Sequence, residues 1–425
     1  MPHRRALRDG ARVARRALRD DAWPEQSLLE AYAARNNVAR AEGPGGGQRF
    51  LYLTTWAGLG NRVLAVLSAF VLAILTDRIL LLEESVWNGE HLFDAPIDWQ
   101  PASWPAFVAL RDRQSRTTAT ARLWTTIDTE EQPFPHLPAL LCANLTRSFP
   151  QRVLALRSIG QYLVPLLLSR TAAPAPELSA ALGDEPARHL MRFLLPPTAA
   201  LRERVDREPS MRLRRPLVCV QLRMHNDWVR RGSPRLLEAA TRCTSTMLSA
   251  SPRLGRHTDQ LEEASAANDK GGRSVHIATD NVSARAALSG ALATEHSGVH
   301  VSFVREAAEA ARQERLVDAW LELLVLARCD ALLTTGGSTF GYLARVLAQG
   351  APLHRQRYLT GWMDESEPFR TARHCPLLQT TEPCLMHAWR PDWDLRKKAS
   401  CFVNVTPGPV RDHLIAPLGP GSQCF

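Results

Sequence analysis

Arg223 follows the apolar run Leu217–Leu222 (LVCVQL), and Gly336-Gly337-Ser338-Thr339 follows a second, Ala331–Leu333. A guanidinium after one strand and a glycine turn after another are a donor set suited to an anion. The planar fork of Arg223 can hold two phosphate oxygens. After the turn, Phe340, Leu343, Ala344 and Leu347 recur at helical spacing, with Ser338 as the capping hydroxyl. The N–H groups of Ser338, Thr339 and Phe340 and the dipole at that helix start favour negative charge. Taken singly, these residues also fit an ordinary βα turn and a surface arginine paired with Asp227. Gln221 precedes Arg223, and His225 and Asp227 follow it. An imidazole or a carboxylate there has the right chemistry for a general base. Asp94 and Glu306 are further acids of the same kind, and the sequence does not choose among them.

A second strand, glycine turn and helix opens the N-terminal half. Arg49–Thr55 reads as a strand, Gly58-Leu59-Gly60-Asn61-Arg62 as the turn, and Val63–Leu75 as an apolar helix. The third glycine of a dinucleotide fingerprint is missing, so no nicotinamide cofactor is assigned. Asp392-Trp393-Asp394 has the spacing of a carboxylate metal clamp but lies in a Trp/Pro-rich stretch, and no cysteine pair has CxxC spacing. No metal ligand and no cofactor is assigned.

These residues need strand ends to hold them. The pattern predicts a helix over Ser27–Ala39, a strand over Arg78–Glu84, and irregular surface or acceptor-facing structure over Trp87–Arg111. Thr171–Pro186 reads as loop and Leu190–Arg204 as helix around a Pro196-Pro197 break. A strand at Leu217–Leu222 and a helix at Pro234–Met247 follow. Further strands are expected at Ser274–Thr279 and His300–Val304, with Asp280 and Asn281 opening a helix between them. A long helix, Glu309–Ala327, precedes the strand at Ala331–Leu333. Strands alternating with helices twice over imply an α/β protein of two doubly wound, Rossmann-like domains facing a cleft. The expected division is a basic tail (1–26), an N-terminal acceptor-side domain (27–210), a C-terminal nucleotide-sugar domain (211–374) and a Cys/Pro/Trp-rich extension (375–425).

A chain of 425 residues with 45% hydrophobic content can bury two cores, and its net charge of +9 suits an anionic ligand. It has no nucleic-acid-binding motif, so a phosphate-bearing small molecule ranks above nucleic acid. Val63–Leu82 is broken by Asp77 and Arg78 and is too short to span a bilayer, and the basic N-terminus has no signal-peptide core. Four of eight cysteines (Cys375, Cys384, Cys401, Cys424) crowd the C-terminus, and sequons stand at Asn144, Asn281 and Asn404. Together they point to an oxidising, secretory lumen. Cys219 and Cys329, in apolar runs, are expected to be plain core residues.

The motifs together resemble the plant-type xyloglucan fucosyltransferase family, the galactoside 2-alpha-L-fucosyltransferases. The resemblance rests on GLGNR (58–62) with its apolar helix and Thr76–Glu84 (TDRILLLEE), then on Gln161–Pro165 (QYLVP). Leu194–Thr198 (LLPPT), with Pro196 where the family has His, Val220–Arg223 (VQLR), Ser338–Tyr342 (STFGY) and Glu382-Pro383-Cys384 complete it. It implies a GT-B type glycosyltransferase, inverting, that moves L-fucose from GDP-fucose to a galactosyl residue of a cell-wall polysaccharide or glycoprotein, most simply in alpha-1,2 linkage. Protein O-fucosylation or alpha-1,6-fucosylation is the near alternative. A non-catalytic homologue that binds nucleotide or glycan is the alternative of another class. The implied donor-binding residues are Gly58, Gly60, Asn61, Arg62, Gln221, Gly337, Ser338, Thr339, Phe340, Gly341 and Tyr342, with Arg223 of the arginine motif as a catalytic residue; His225 and Asp227 complete the catalytic group as the acids or bases nearest the expected ligand face, a choice the resemblance does not settle. An arginine fork with backbone N–H donors requires no metal at the phosphates, and the family implies residence in the Golgi lumen as membrane-associated proteins, although no anchor is visible here. The oligomeric state is not legible.

Overall fold

The computed structural model describes residues 24–41, 47–56, 58–83, 92–114, 124–129, 140, 144–158, 162–168, 175–213, 215–224, 227–250, 273–304, 312–336, 338–348, 353–359, 375 and 383. Contacts separate the described residues up to Pro196 from those of Pro197–Pro383, so two units are described in turn. The break falls at Pro196-Pro197, earlier in the chain than 210, and the helix Ala199–Arg207 belongs with the second unit.

The first unit holds a four-stranded parallel sheet in the order β2-β1-β4-β3. Its strands are β1 (Phe50–Thr54), β2 (Ile79–Leu82), β3 (Trp124–Asp128) and β4 (Val153–Arg157). Helix α1 (Pro24–Ala41) precedes β1, and α2 (Leu59–Leu75) joins β1 to β2. Parallel neighbours need such a crossover. Nearly every residue of α2 from Val63 to Ala73 is fully buried, so its uniform apolarity is that of a core helix. Among the described residues no helix is long and apolar enough to cross a membrane. Helix α3 (Pro105–Gln114) covers the other layer, where Phe107 and Leu110 join Trp104, Phe50, Ile79, Leu81 and Val153.

Two expectations fail in this unit. Trp87–Arg111 is not simply irregular surface: Trp99 and Trp104 are buried, and α3 begins at Pro105. Two of the three prolines there, Pro101 and Pro105, stand at helix starts, where Pro is well tolerated. Thr171–Pro186 contains the helix Ala175–Leu182, with Ala175, Leu178 and Leu182 buried. β3 is hidden in the sequence because Thr and Asp dilute its apolar pattern, and the apolar run Val153–Leu156 of β4 is too short for periodicity to tell strand from helix.

Arg78, in the TDR segment, explains part of the first unit's shape. Asp77 takes a positive φ of 53° at the turn, a conformation Asp tolerates. Arg78 is then fully buried. Its two terminal nitrogens donate to the carbonyls of Phe50 (3.1 Å), Arg152 (3.1 Å), Phe149 (2.6 Å) and Gln151 (2.8 Å). Burial and the neighbouring Arg49 guanidinium push Arg78 down to about 9, and the four carbonyls hold the charge in place. The Tyr32 hydroxyl of α1 donates to the Arg78 carbonyl (2.8 Å) and accepts from Leu80 N–H (3.1 Å).

The second unit holds a five-stranded parallel sheet in the order β7-β6-β5-β8-β9. Its strands are β5 (Leu217–Leu222), β6 (Ser274–Thr279), β7 (His300–Ser302), β8 (Ala331–Thr335) and β9 (Gln356–Leu359). Its main helices are α4 (Asp227–Ala250), α5 (Val282–Glu295), α6 (Arg312–Ala327) and α7 (Thr339–Leu347). Alternate residues face opposite layers, as a strand requires. Val218, Val220 and Leu222 pack with Ala239, Ala240 and Cys243 of α4 and Leu288 and Leu292 of α5. The other face mixes apolar residues (Leu217, Cys219, Leu332) with polar ones: Gln221 meets α7, and His276 Nε2 lies 3.6 Å from Glu322 of α6. Helices on both faces make this unit doubly wound, as expected.

Cys219 and Cys329 are a correction. They are fully buried but joined in a disulfide, and Cys243 pairs with Cys375. Spacing could not reveal the first pair, because its partners are 110 residues apart and meet only once β5 and β8 lie side by side. Cys384, Cys401 and Cys424 lie outside the described residues.

Candidate functional site

In the second unit the chain builds β5, β6 and β7 outward on one side, then returns to place β8 and β9 on the other. The order therefore reverses between β5 and β8. In open α/β sheets ligands sit at the C-terminal strand ends beside such a reversal. Arg223 is the first residue past β5, and Gly336 the first past β8.

Thr335 joins these two ends. Its hydroxyl donates to the Gln221 carbonyl (3.0 Å) and accepts from Arg223 N–H (3.0 Å). Gln221 is buried, and its Oε1 accepts from Thr335 N–H (3.3 Å). Gln221 is thus a brace between β5 and β8. With the Arg223 backbone fixed, its side chain is 45% exposed and reaches Asp280, where Nη1 lies 2.7 Å from Oδ2. The other oxygen of Asp280 accepts from Met224 N–H (2.8 Å). Among the described residues the pairing partner is Asp280, past the end of β6. Asp280 was legible as the start of the next helix, but its ion pair depends on the β5–β6 pairing.

Helix α7 starts at the expected place, with one correction. The Ser338 N–H donates to the Thr335 carbonyl (3.2 Å) and its hydroxyl caps Gly341 N–H (3.2 Å). Ser338 therefore closes the turn, and the N–H groups of Thr339 and Phe340 are the ones left at the helix start for an anion. A Cβ at Gly341 would fall 2.7 Å from Gln221 Oε1 and 3.2 Å from Thr334 Cβ, so α7 approaches the sheet as only glycine permits. Tyr342 is buried, with the Arg345 guanidinium 5.2 Å from its ring centroid, and Arg345 Nε donates to Thr334 Oγ1 (2.7 Å). Gly341 and Tyr342 seat the helix rather than form exposed surface. Gly337 and His225 lie outside the described residues, as does the side chain of Asp227, whose backbone begins α4.

The GLGNR segment belongs to the first unit. Gly58 is the N-cap of α2 and offers no side-chain cap. Its φ is −64°, and a Cβ there would meet nothing within 4 Å, so the fold does not demand glycine at this position. Gly60, Asn61 and Arg62 form the first turn, with Arg62 N–H donating to the Gly58 carbonyl (3.1 Å). Asn61 Oδ1 is buried with no hydrogen-bond partner among the described residues. An uncapped helix start beside an unpartnered amide oxygen has donors and an acceptor available for a polar ligand.

In the former Trp-rich stretch, Phe93, Ile97, Asp98, Trp99, Gln100 and Ser103 line a depression of about 260 Å³. Asp94 N–H donates to the Pro196 carbonyl (2.9 Å). Glu306 and the Asp392–Asp394 pair lie outside the described residues. Among the described residues no group of three His, Cys, Asp or Glu is arranged to hold a metal.

The family model for xyloglucan fucosyltransferase matches residues 34–127, which confirms the resemblance over much of the first unit. No curated protein sequence matches the chain. Among solved structures, a mutant of Arabidopsis thaliana FUT1 in complex with GDP is similar at a TM-score of 0.59 and 19% identity, covering 84% of each chain. That likeness shows the fold, an α/β architecture with Rossmann-like units. The alpha-1,6-fucosyltransferase NodZ, soaked with GDP-fucose, is similar at a TM-score of 0.42 and 15% identity, covering 73% of this chain and 95% of that one. POFUT1 in complex with GDP-fucose gives 0.41 and 14%, covering 73% and 97%.

Proposed function

We propose that this chain, whose first unit carries the xyloglucan fucosyltransferase match, is an inverting fucosyltransferase that moves L-fucose from GDP-fucose to a galactosyl residue of a glycan in alpha-1,2 linkage. One observation carries the reading. Arg223 and the start of α7 stand at adjacent strand ends on the two sides of the chain reversal, tied together through Thr335. Two independent anion donors at such a point suit a diphosphate leaving group.

Displacing GDP develops negative charge on the phosphates and positive charge on the departing sugar. The Arg223 fork and the N–H groups of Thr339 and Phe340 supply fixed donors where the negative charge grows. Asp280 keeps the guanidinium at the strand end and yields part of its contact when phosphate oxygens arrive. The acceptor hydroxyl attacks the face opposite the nucleotide and gives its proton to a base, for which His225 and Asp227 are the proposed groups. Arginine and backbone donors take the place of a metal. The two disulfides support an oxidising compartment such as the Golgi lumen.

The test measures GDP release and fucosylated product from GDP-fucose across a panel of galactosides, with and without excess chelator. Transfer to a terminal galactose that survives chelation is expected. GDP binding without transfer to any galactoside or peptide would select the non-catalytic homologue, and loss of turnover restored by Mn²⁺ would overturn the metal-free scheme.

A further inference from the structure

At the C-terminal edge of the first sheet, side chains from three strand ends meet. Trp56 leaves β1 and is 53% exposed. Arg157, the last residue of β4, sets its guanidinium 4.6 Å from the Trp56 ring centroid. Its Nη1 lies 3.2 Å from Oδ2 of Asp128, the last residue of β3 and its register partner. The backbone beneath is fixed. The Arg157 carbonyl accepts from both the N–H (3.0 Å) and the hydroxyl (3.1 Å) of Thr129, and Ser158 N–H donates to the Thr54 carbonyl (3.1 Å). In the order β2-β1-β4-β3 the strands β1, β4 and β3 are consecutive neighbours, so the cluster stands at their carboxyl ends, the edge on which ligands bind in open α/β sheets.

A large aromatic side chain held in water by a guanidinium, in a unit that buries Trp99 and Trp104, is not explained by packing. We infer that Trp56, Arg157 and Asp128 form a carbohydrate subsite that receives the acceptor glycan. A pyranose has apolar C–H faces and a rim of hydroxyls. An indole ring offers surface to the first, while guanidinium N–H donors and a carboxylate acceptor serve the second. The cation–π contact orients the ring before the sugar arrives, which lowers the ordering cost of binding. The word acceptor rests on the fucosyltransferase reading above; binding of a sugar at this place does not.

The experiment titrates lactose and a galactosylated xyloglucan oligosaccharide into the full chain by calorimetry, and GDP separately, for wild type, Trp56→Ala, Trp56→Phe and Arg157→Gln. Trp56→Ala is expected to weaken oligosaccharide binding about tenfold or more, with Trp56→Phe retaining most of it because the ring face survives. GDP affinity and melting temperature should stay near wild type in every variant. The Phe variant keeps the test sound should Ala disturb folding. In turnover assays the loss should appear in the acceptor KM and not in kcat. Unchanged oligosaccharide affinity in Trp56→Ala overturns the inference, as does a wild type that binds neither sugar. Loss of GDP affinity with sugar binding intact would make the cluster part of the donor site instead, and also overturns it. Sugar binding through Trp56 with no fucose transfer would sink the enzymatic reading and leave the subsite standing.

Discussion

Gly341→Ala should loosen the anion-binding turn although it adds a good helix former to a helix. The added methyl would stand 2.7 Å from Gln221 Oε1, 3.2 Å from Thr334 Cβ and 3.4 Å from Ser338 Cβ. Gln221 is 3% exposed and its Oε1 accepts from Thr335 N–H. To make room, either Gln221 swings away and leaves a buried N–H unpaired, or α7 lifts from the sheet. Overpacking of this kind costs about 1–3 kcal/mol, and an unpaired buried donor costs roughly 1–3 kcal/mol. Alanine recovers at most about 1 kcal/mol of helix propensity. The net expectation is a loss of about 1–2 kcal/mol, the middle-to-upper cost less the helix-propensity gain, together with weaker GDP binding as the turn between Thr335 and Thr339 shifts. Gly290→Ala in α5 is the matched control, since a Cβ there meets nothing within 4 Å. It should stabilise by about 0.5–1 kcal/mol and leave GDP binding alone. The assay is denaturant and thermal unfolding of both variants with calorimetric GDP titration. A Gly341→Ala protein as stable as wild type, with unchanged GDP affinity, would refute the reasoning.

Arg223→Ala should cost on the order of 2–4 kcal/mol in the transition state, roughly a hundredfold or more in fucose transfer. Arg223→Lys should also be badly impaired because the planar fork is lost; turnover within a few-fold of wild type for the Ala variant would place the donor site elsewhere. Arg78→Lys should destabilise the first unit by about 1–3 kcal/mol for each carbonyl left unpaired, read as a lower unfolding midpoint with GDP affinity retained. The folded value of Arg78, about 9, lies below that of an unfolded arginine. The unfolded chain therefore binds more protons above about 9 than the folded one. Stability from this group rises with pH only in that range and is flat near neutrality. Cys243→Ser with Cys375→Ser removes a crosslink spanning 132 residues and should lower stability by about 2–4 kcal/mol; an unchanged midpoint under non-reducing conditions would show the bridge is not formed.

The sequence alone determined the elements whose signal is local. Leu217–Leu222 and Ser274–Thr279 have the same bounds in the structure because a strand buried on both faces reads as a continuous apolar or β-rich run. The start of α7 at Ser338 was legible from a glycine turn, a hydroxyl cap and helical spacing, all within ten residues. Tertiary structure alone decided what depends on neighbours distant in the chain. The β3 and β4 strands and the Cys219–Cys329 bond exist through pairings about thirty to more than a hundred residues apart in sequence, and no window of residues contains both partners. The site divides in the same way. Arg223 could be picked out as a cation after a strand, but its partner Asp280 and its tie to Thr335 follow from the order β6-β5-β8. Ser338 looked like an anion donor because local pattern cannot show that the turn uses its N–H and its hydroxyl internally. Trp56, Asp128 and Arg157 carry no motif between them. Parallel register brings the last two side by side at adjacent strand ends, and the pairing of β1 with β4 sets the indole against the guanidinium.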